Sequence, residues 1–151
     1  MEIKSRGYDR DTKRWYYGGY FKHQIKEICP VQFSDETAAD KEPKYEHYIV
    51  FDGFADWNMA KPIKLATVDP KSVGVYIGQK DIKGKEIYGG DIVKVWYDNK
   101  SVNGVIKYHE ENACYLIYVK QYNRHLQPFS HPEMEVVGNM YDNPELLEVE
   151  D

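Results

Sequence analysis

The chain has 151 residues, 42% of them hydrophobic and 30% charged, and its formal net charge at pH 7 is -5. This length fits one compact domain with its own core, and no apolar run approaches the roughly 20 residues that a membrane-spanning helix needs. The two cysteines, Cys29 and Cys114, are too few for a disulfide framework, and the first residues lack the apolar segment of a signal peptide, so we expect a cytoplasmic protein without membrane attachment.

The first half of the chain begins with a hairpin pattern. Residues 3–8 and 15–21 flank a charged turn, which predicts an N-terminal β-hairpin. Residues 34–44 are rich in charge and poor in bulky apolar side chains, which is typical of a solvated loop. A strand is predicted over residues 45–51, and the prolines within residues 61–71 favour an extended segment. A helix over residues 54–60 is considered but is less favoured than non-helical structure, because the segment is short.

The middle of the chain, residues 76–97, combines a turn with an apolar strand. Gly84 lies among charged residues, where a positive φ angle costs least, and this predicts a tight turn over residues 80–85. A glycine pair precedes Asp91, and residues 92–97 then have strand composition. One face of that strand is apolar, whereas the other carries Lys94 and Trp96, so we expect it to be half exposed.

The second half continues the strand pattern. Turn chemistry over residues 98–101, followed by an apolar segment over residues 105–108, predicts a hairpin. Residues 113–120 are apolar on both faces, which indicates a central strand. A last strand is predicted over residues 134–140, and the order Asn143-Pro144 predicts a short helical turn through Leu147. Short strands joined by tight turns favour a small β-barrel over about residues 73–140.

The sequence contains little that supports a catalytic function. The nearest approach to a metal or acid-base cluster is His109-Glu110-Glu111, but the spacing matches no known ligand set and the two glutamates fall in a predicted turn. Asp91 is better explained as a structural residue whose carboxylate accepts hydrogen bonds from nearby amides. We therefore assign no catalytic residue, no metal ligand and no cofactor, and expect a protein that is not an enzyme.

Three segments resemble a known family. Residues 84–95 read GKEIYGGDIVKV, residues 136–148 read VVGNMYDNPELLE, and residues 1–19 open with basic and aromatic residues around a charged turn. Together these segments are similar to the YopX family of small proteins encoded by bacteriophages and prophages, whereas residues 22–71 match that pattern poorly. The long GKEIYxGDIV string makes this resemblance specific.

The resemblance implies a mainly-β fold that contains a small SH3-like barrel or roll, with the N-terminal β-hairpin as an extension and little helix. On this basis residues 1–151 form a single YopX-like domain. Residues 1–72 supply the hairpin and an irregular insertion, and residues 73–151 supply the barrel and an acidic C-terminal turn. The family provides no established catalytic residue that could be transferred to this chain.

The function expected from this combination is a non-enzymatic phage or prophage accessory protein that binds a host or phage protein, with homo-oligomer formation through open strand edges. The alternative is a small nucleic-acid-binding barrel, although the negative net charge opposes phosphate binding. A metal-assisted hydrolase around His109 is a further alternative. The predicted interaction surface combines basic turns with one exposed aromatic residue: Arg6, Arg14, Lys80, Lys83, Lys85 and Trp96.

Overall fold

The computed structural model describes residues 2–25, 43–53, 57–58 and 61–148. These residues form eleven β-strands and four single 3-10 turns, which confirms the prediction of a mainly-β fold with little helix. No helix in these ranges has the length and apolarity required to cross a membrane. The strands are β1 (Ser5–Asp9), β2 (Arg14–Ile25), β3 (Lys44–Asp52), β4 (Ile63–Thr67), β5 (Gly74–Lys80), β6 (Glu86–Tyr88), β7 (Asp91–Tyr97), β8 (Lys100–His109), β9 (Cys114–Val119), β10 (Arg124–Leu126) and β11 (Glu135–Asn139), and the 3-10 turns are Pro70–Ser72, Lys120–Tyr122, Pro128–Ser130 and Pro144–Leu147.

Six strands form the first sheet, in the order β4-β3-β2-β1-β5-β6, and neighbouring strands run antiparallel. The predicted N-terminal hairpin is confirmed as β1 and β2. Residues 14–18 of β2 pair with β1, whereas residues 19–25 pair with β3, so one long strand belongs to two pairings. Strand β3 confirms the strand predicted over residues 45–51, and β4 confirms an extended segment within residues 61–71.

The other five strands form the second sheet, in the order β10-β9-β8-β7-β11, again antiparallel. Strands β7 and β8 form the predicted hairpin, β9 is the predicted inner strand, and β11 matches the strand predicted over residues 134–140. The core consists of side chains from these strands and from β6, including the fully buried Ile87, Val93, Ile106 and Ile117, together with Met134 just before β11.

The strands of the second half do not close into the predicted barrel, and this part of the prediction is wrong. Strand β5 pairs with β1 near the start of the chain, since Ser5 is in register with Val75 and the Tyr76 amide donates to the Lys4 carbonyl. The ribbon of β5 and β6 therefore extends the N-terminal sheet, and the result is two open sheets. The SH3-like detail of the fold stays a prediction.

The turn between β5 and β6 joins the two sheets. Gly84 adopts φ +82°, as the predicted tight turn requires. The Asp81 carboxylate accepts hydrogen bonds from the Lys83 and Lys85 amides at 2.9 and 2.8 Å within the turn, and from the Val136 amide of β11 at 3.0 Å. Burial opposes ionisation of Asp81, but these amide donors outweigh it and lower the pKa of the carboxyl.

Two predictions fall largely outside the described residues. Of the charged loop predicted over residues 34–44, the structure describes only residues 43 and 44. Of the helix considered over residues 54–60, it describes only residues 57–58. The terminal turn predicted after Asn143 is present as the 3-10 turn Pro144–Leu147.

Candidate functional site

A buried ion pair connects the start of the chain to its middle. Arg6 Nη2 lies 2.6 Å from Asp91 Oδ1, and the two side chains are 7% and 1% exposed. The other carboxylate oxygen of Asp91 accepts a hydrogen bond from the Tyr88 amide at 2.8 Å, which confirms its structural role. Burial raises the pKa of Asp91, while Arg6 and the Tyr88 amide act in the opposite direction. Arg6 is therefore buried and does not belong to the predicted exposed surface.

Aromatic rings enclose the Arg6 guanidinium. Its central carbon lies 4.9 Å from the ring centroid of Trp15 and 5.0 Å from that of Tyr88, both within cation-π range. The Tyr88 hydroxyl donates to Glu86 at 2.6 Å, and Lys4 pairs with the same carboxylate at 3.0 Å. Burial and the Glu86 carboxylate raise the pKa of Tyr88 well above its usual range. This arrangement connects β1, β2 and β6 through Arg6, Trp15 and Tyr88.

The end of the chain packs against the same region. Trp15 Nε1 donates to Asp142 Oδ2 at 3.1 Å, and the Tyr141 hydroxyl donates to Asp69 Oδ2 at 3.0 Å. The rings of Tyr8, Trp15 and Tyr141 lie with their centroids 5.3 to 5.8 Å apart. The three segments that carry the family resemblance therefore meet in space, and their polar side chains are largely engaged with one another.

The remaining basic candidates are exposed, but they do not form one surface. Arg14 lies at the β1-β2 turn, whereas Lys80, Lys83 and Lys85 lie at or near the β5-β6 turn. Because β5 runs antiparallel to β1 and pairs with its first residues, these two turns are at opposite ends of the sheet. Lys83 also forms an ion pair with Glu135 of β11. The joint basic surface that the nucleic-acid alternative required is not assembled.

Trp96 is exposed, as the alternation of β7 predicted, with 58% of its surface accessible. It lies opposite Ser101 of β8. His109 ends β8 with its ring 4.9 Å from that of His125, and Glu110 and Glu111 lie in the following turn. Across the described part of the chain, no group of three or more ligand-type side chains is placed to hold a metal ion. The hydrolase alternative gains no support from this arrangement.

The largest feature that sequence reasoning missed is an exposed sheet surface, which we call the wing. It consists of β2 from residue 19 onward, β3 and β4. The strand register places Gly19, Val50 and Leu65 in one row on the same face, with Phe21, Tyr48 and Thr67 in the next row. The opposite face buries Ile49 and Ala66.

The wing face, meaning the side that carries Phe21 and Leu65, exposes large apolar side chains beside the charged residues Glu46 and Asp52. Phe21, Leu65 and Ile63 are 50%, 61% and 75% exposed, and Ile63 pairs with Asp52 at one end of the face. Among the described residues no strand pairs with the outer edge of β4. The alternation of Ile63 and Leu65 about Lys64 was the available sequence signal, but the surrounding charge and prolines made residues 22–71 look irregular.

These features define a class of protein: a mainly-β chain of two open sheets, held together by buried polar contacts and exposing an apolar sheet face. The chain belongs to the YopX protein family, whose family model matches residues 4–148.

Among solved structures, the chain is similar to that described as the crystal structure of protein EF1440 from Enterococcus faecalis. The TM-score is 0.51 at 18% sequence identity, and the match covers 98% of this chain and 99% of that one. This likeness concerns the fold alone. No functionally curated protein matches the chain.

Proposed function

We propose that this protein is a non-enzymatic interaction module that binds another protein through its wing face. The observation that carries the proposal is the exposure of Phe21, Ile63 and Leu65 on one face of a sheet. Antiparallel sheets commonly leave one face to water, but such a face is then polar, and a contiguous exposed apolar patch marks an interaction surface.

The placement of the charged residues supports a binding role over a chemical one. Arg6 and Asp91 are buried together, Asp81 is surrounded by backbone amides, and Glu86 is shared by Lys4 and Tyr88. These groups hold the two sheets and the chain ends in place. The family resemblance supports, as part of this proposal, a phage or prophage protein whose partner is a host or phage protein in the host cytoplasm.

A matched pair of variants tests the proposal. Leu65→Lys introduces a charge on the edge strand of the wing face. Ile82→Lys makes the same kind of change on the β5-β6 turn, at a residue that is 63% exposed against 61% for Leu65. Tagged wild type and both variants are used for affinity capture from an induced lysogen or infected host, with quantitative mass spectrometry.

We expect proteins that are enriched by the wild type and by Ile82→Lys to be lost with Leu65→Lys. Thermal unfolding of the three proteins checks that each is folded. Equal enrichment by both variants, or enrichment by none of the three proteins, would contradict the proposal.

A further inference from the structure

A cavity of about 460 Å³ lies on the second sheet beside the C-terminal 3-10 turn. The Asn103 side chain of β8 attaches this turn to the sheet, because its amide group donates to the Leu146 carbonyl oxygen at 2.9 Å. Val102, Leu146 and Leu147 give the cavity an apolar part, and the rest of its lining is polar or charged. The volume falls within the range of about 300–1,000 Å³ that is typical of small-molecule sites.

Two exposed lysines approach the cavity from opposite sides of Asn103. Lys94 of β7 is in register with Asn103, so both side chains lie on the same face of the sheet. On the other side, Tyr118 of β9 pairs with Val105 of β8. Lys120 lies two residues beyond that pair in antiparallel order, which brings it beside Asn103, and it lines the same cavity. Neighbouring strands lie about 4.8 Å apart, so the two lysine backbones are roughly 10 Å apart and both flexible side chains can reach one anion.

No carboxylate neutralises these two ammonium groups. Among the described residues, neither Lys94 nor Lys120 takes part in an ion pair. Glu135 of β11 is opposite Lys94, but it pairs with Lys83. Glu148 is the one acidic residue that lines the cavity. The lining therefore has a positive local charge and an excess of hydrogen-bond donors.

We infer that this cavity binds a small molecule that carries a phosphate monoester and an apolar part. The two ammonium groups hold the phosphate, the Ser101 hydroxyl and the Gln121 amide supply further donors, and the two leucines contact the apolar part. A phosphate monoester carries close to two negative charges at neutral pH, which matches the two lysines, and hydrogen bonds between charged groups are the strong ones.

The distribution of charge along the chain favours an anion at this place. Residues 71–132, which include β7, β8 and β9, carry nine Lys and Arg against six Asp and Glu, a formal charge of +3 within a chain of -5. At physiological salt, exposed charges are screened beyond about 8 Å, so the acidic segments elsewhere act weakly on the cavity. The site lies on the second sheet, whereas the wing belongs to the first, so this inference is independent of the proposed function.

The test is an amide NMR titration of the full chain with phenyl phosphate in about 50 mM salt, where screening is weak. Phenyl sulfate has the same ring with a single negative charge, and phenol has the ring alone. We expect phenyl phosphate to shift the amides of Ser101, Asn103 and Gln121 in a saturable manner, with a Kd of about 1 mM for a ligand of this size. Phenyl sulfate should bind at least about threefold more weakly, and phenol should give no saturable shift.

Lys94→Gln and Lys120→Gln each remove one ammonium group, and each is expected to weaken phenyl phosphate binding at least about fivefold. Lys64→Gln is the matched control, because it makes the same change of charge at an exposed residue of β4 in the first sheet. It should change the Kd by less than about twofold. Thermal unfolding of the variants checks that each is folded.

Three results would overturn the inference. The first is the absence of saturable shifts in the wild type up to about 20 mM phenyl phosphate. The second is an equal effect of all three lysine variants, which indicates general attraction to basic charge. The third is binding of phenyl sulfate or phenol as tight as that of phenyl phosphate, and this comparison needs only the wild type.

Discussion

Replacing Asp81 by asparagine separates the two connections that this carboxylate makes. Oδ1 accepts from the Lys83 and Lys85 amides inside the turn, and Oδ2 accepts from the Val136 amide of β11. An asparagine can keep its oxygen toward the turn, but its NH2 group then faces the Val136 N–H, donor against donor. The turn is preserved while its attachment to the second sheet is lost.

The expected cost follows from the burial of these groups. Val136 is buried, so its amide cannot gain water, and an unsatisfied buried donor costs about 2 kcal/mol. Loss of the charge weakens the two turn hydrogen bonds by about 0.5 kcal/mol each, since charge-assisted bonds are stronger than neutral ones. The total of about 3 kcal/mol corresponds to a fall in Tm of roughly 6–12 °C for a chain of this size.

Asp9→Asn is the matched control. The Asp9 carboxylate also holds a turn, but the Asp11 and Thr12 amides both donate to the same oxygen, Oδ1, which an asparagine can replace. Its cost is expected to stay below about 1 kcal/mol. Urea unfolding followed by tryptophan fluorescence measures both variants, and equal losses at Asp81 and Asp9 would refute the reasoning.

The pH dependence of the Asp81 effect is fixed by the direction of its pKa. The pKa of the Asp81 carboxyl is lower in the folded protein than in the unfolded chain. The ionised carboxylate therefore stabilises the fold at a pH above the ordinary Asp pKa. This contribution is lost as the pH falls through the pKa of the folded protein. The stability difference between wild type and Asp81→Asn should therefore narrow as the pH falls from the ordinary Asp range, about 4, through the lower pKa of the folded protein. A difference that stays constant over that range would contradict this assignment.

The remaining predictions concern the buried pair and the aromatic contacts. Arg6→Met leaves Asp91 buried without its partner and should cost about 3–5 kcal/mol of unfolding free energy, while the double variant Arg6→Met, Asp91→Asn should cost less than the sum of the single changes. Urea titrations of the wild type, Arg6→Met, Asp91→Asn and the double variant measure this coupling, and strict additivity would argue against it. Trp15→Phe removes the hydrogen bond to Asp142 and should cost about 1 kcal/mol, whereas Trp96→Phe at an exposed site should change stability by less than about 0.5 kcal/mol. Equal effects at the two tryptophans in thermal unfolding would contradict the contact at the chain end.

Local pattern predicted most of the strands, because alternation and turn chemistry act within a few residues. The turn at Gly84, the strand after Asp91 and the hairpin of β1 and β2 are examples. Which strands pair is a different matter. Strand β5 pairs with β1, which is far away in the sequence, and no residue near β5 indicates this pairing. The pattern of short strands was therefore interpreted as a barrel.

For the site residues too, contacts between neighbours in the sequence were predicted and contacts between distant residues were not. Asp91 was recognised as structural because its amide partner, Tyr88, is three residues away. Arg6 was assigned to the surface because other basic residues lie near it in the sequence, whereas its ion-pair partner Asp91 is distant in the chain. The wing face was missed because the projecting residues of β2 and β4 become one surface only through the register with β3.

The packing of Tyr141 and Asp142 against the N-terminal hairpin also constrains how the protein is made on the ribosome. The hairpin of β1 and β2 leaves the exit tunnel long before the residues that complete its surroundings have been synthesised. Until Tyr141 and Asp142 have left the exit tunnel, the indole of Trp15 lacks its acceptor and the ring cluster lacks the Tyr141 ring. The nascent chain therefore keeps apolar surface exposed during this interval, and synonymous changes that slow translation of the last third should increase its binding to chaperones that recognise exposed apolar segments.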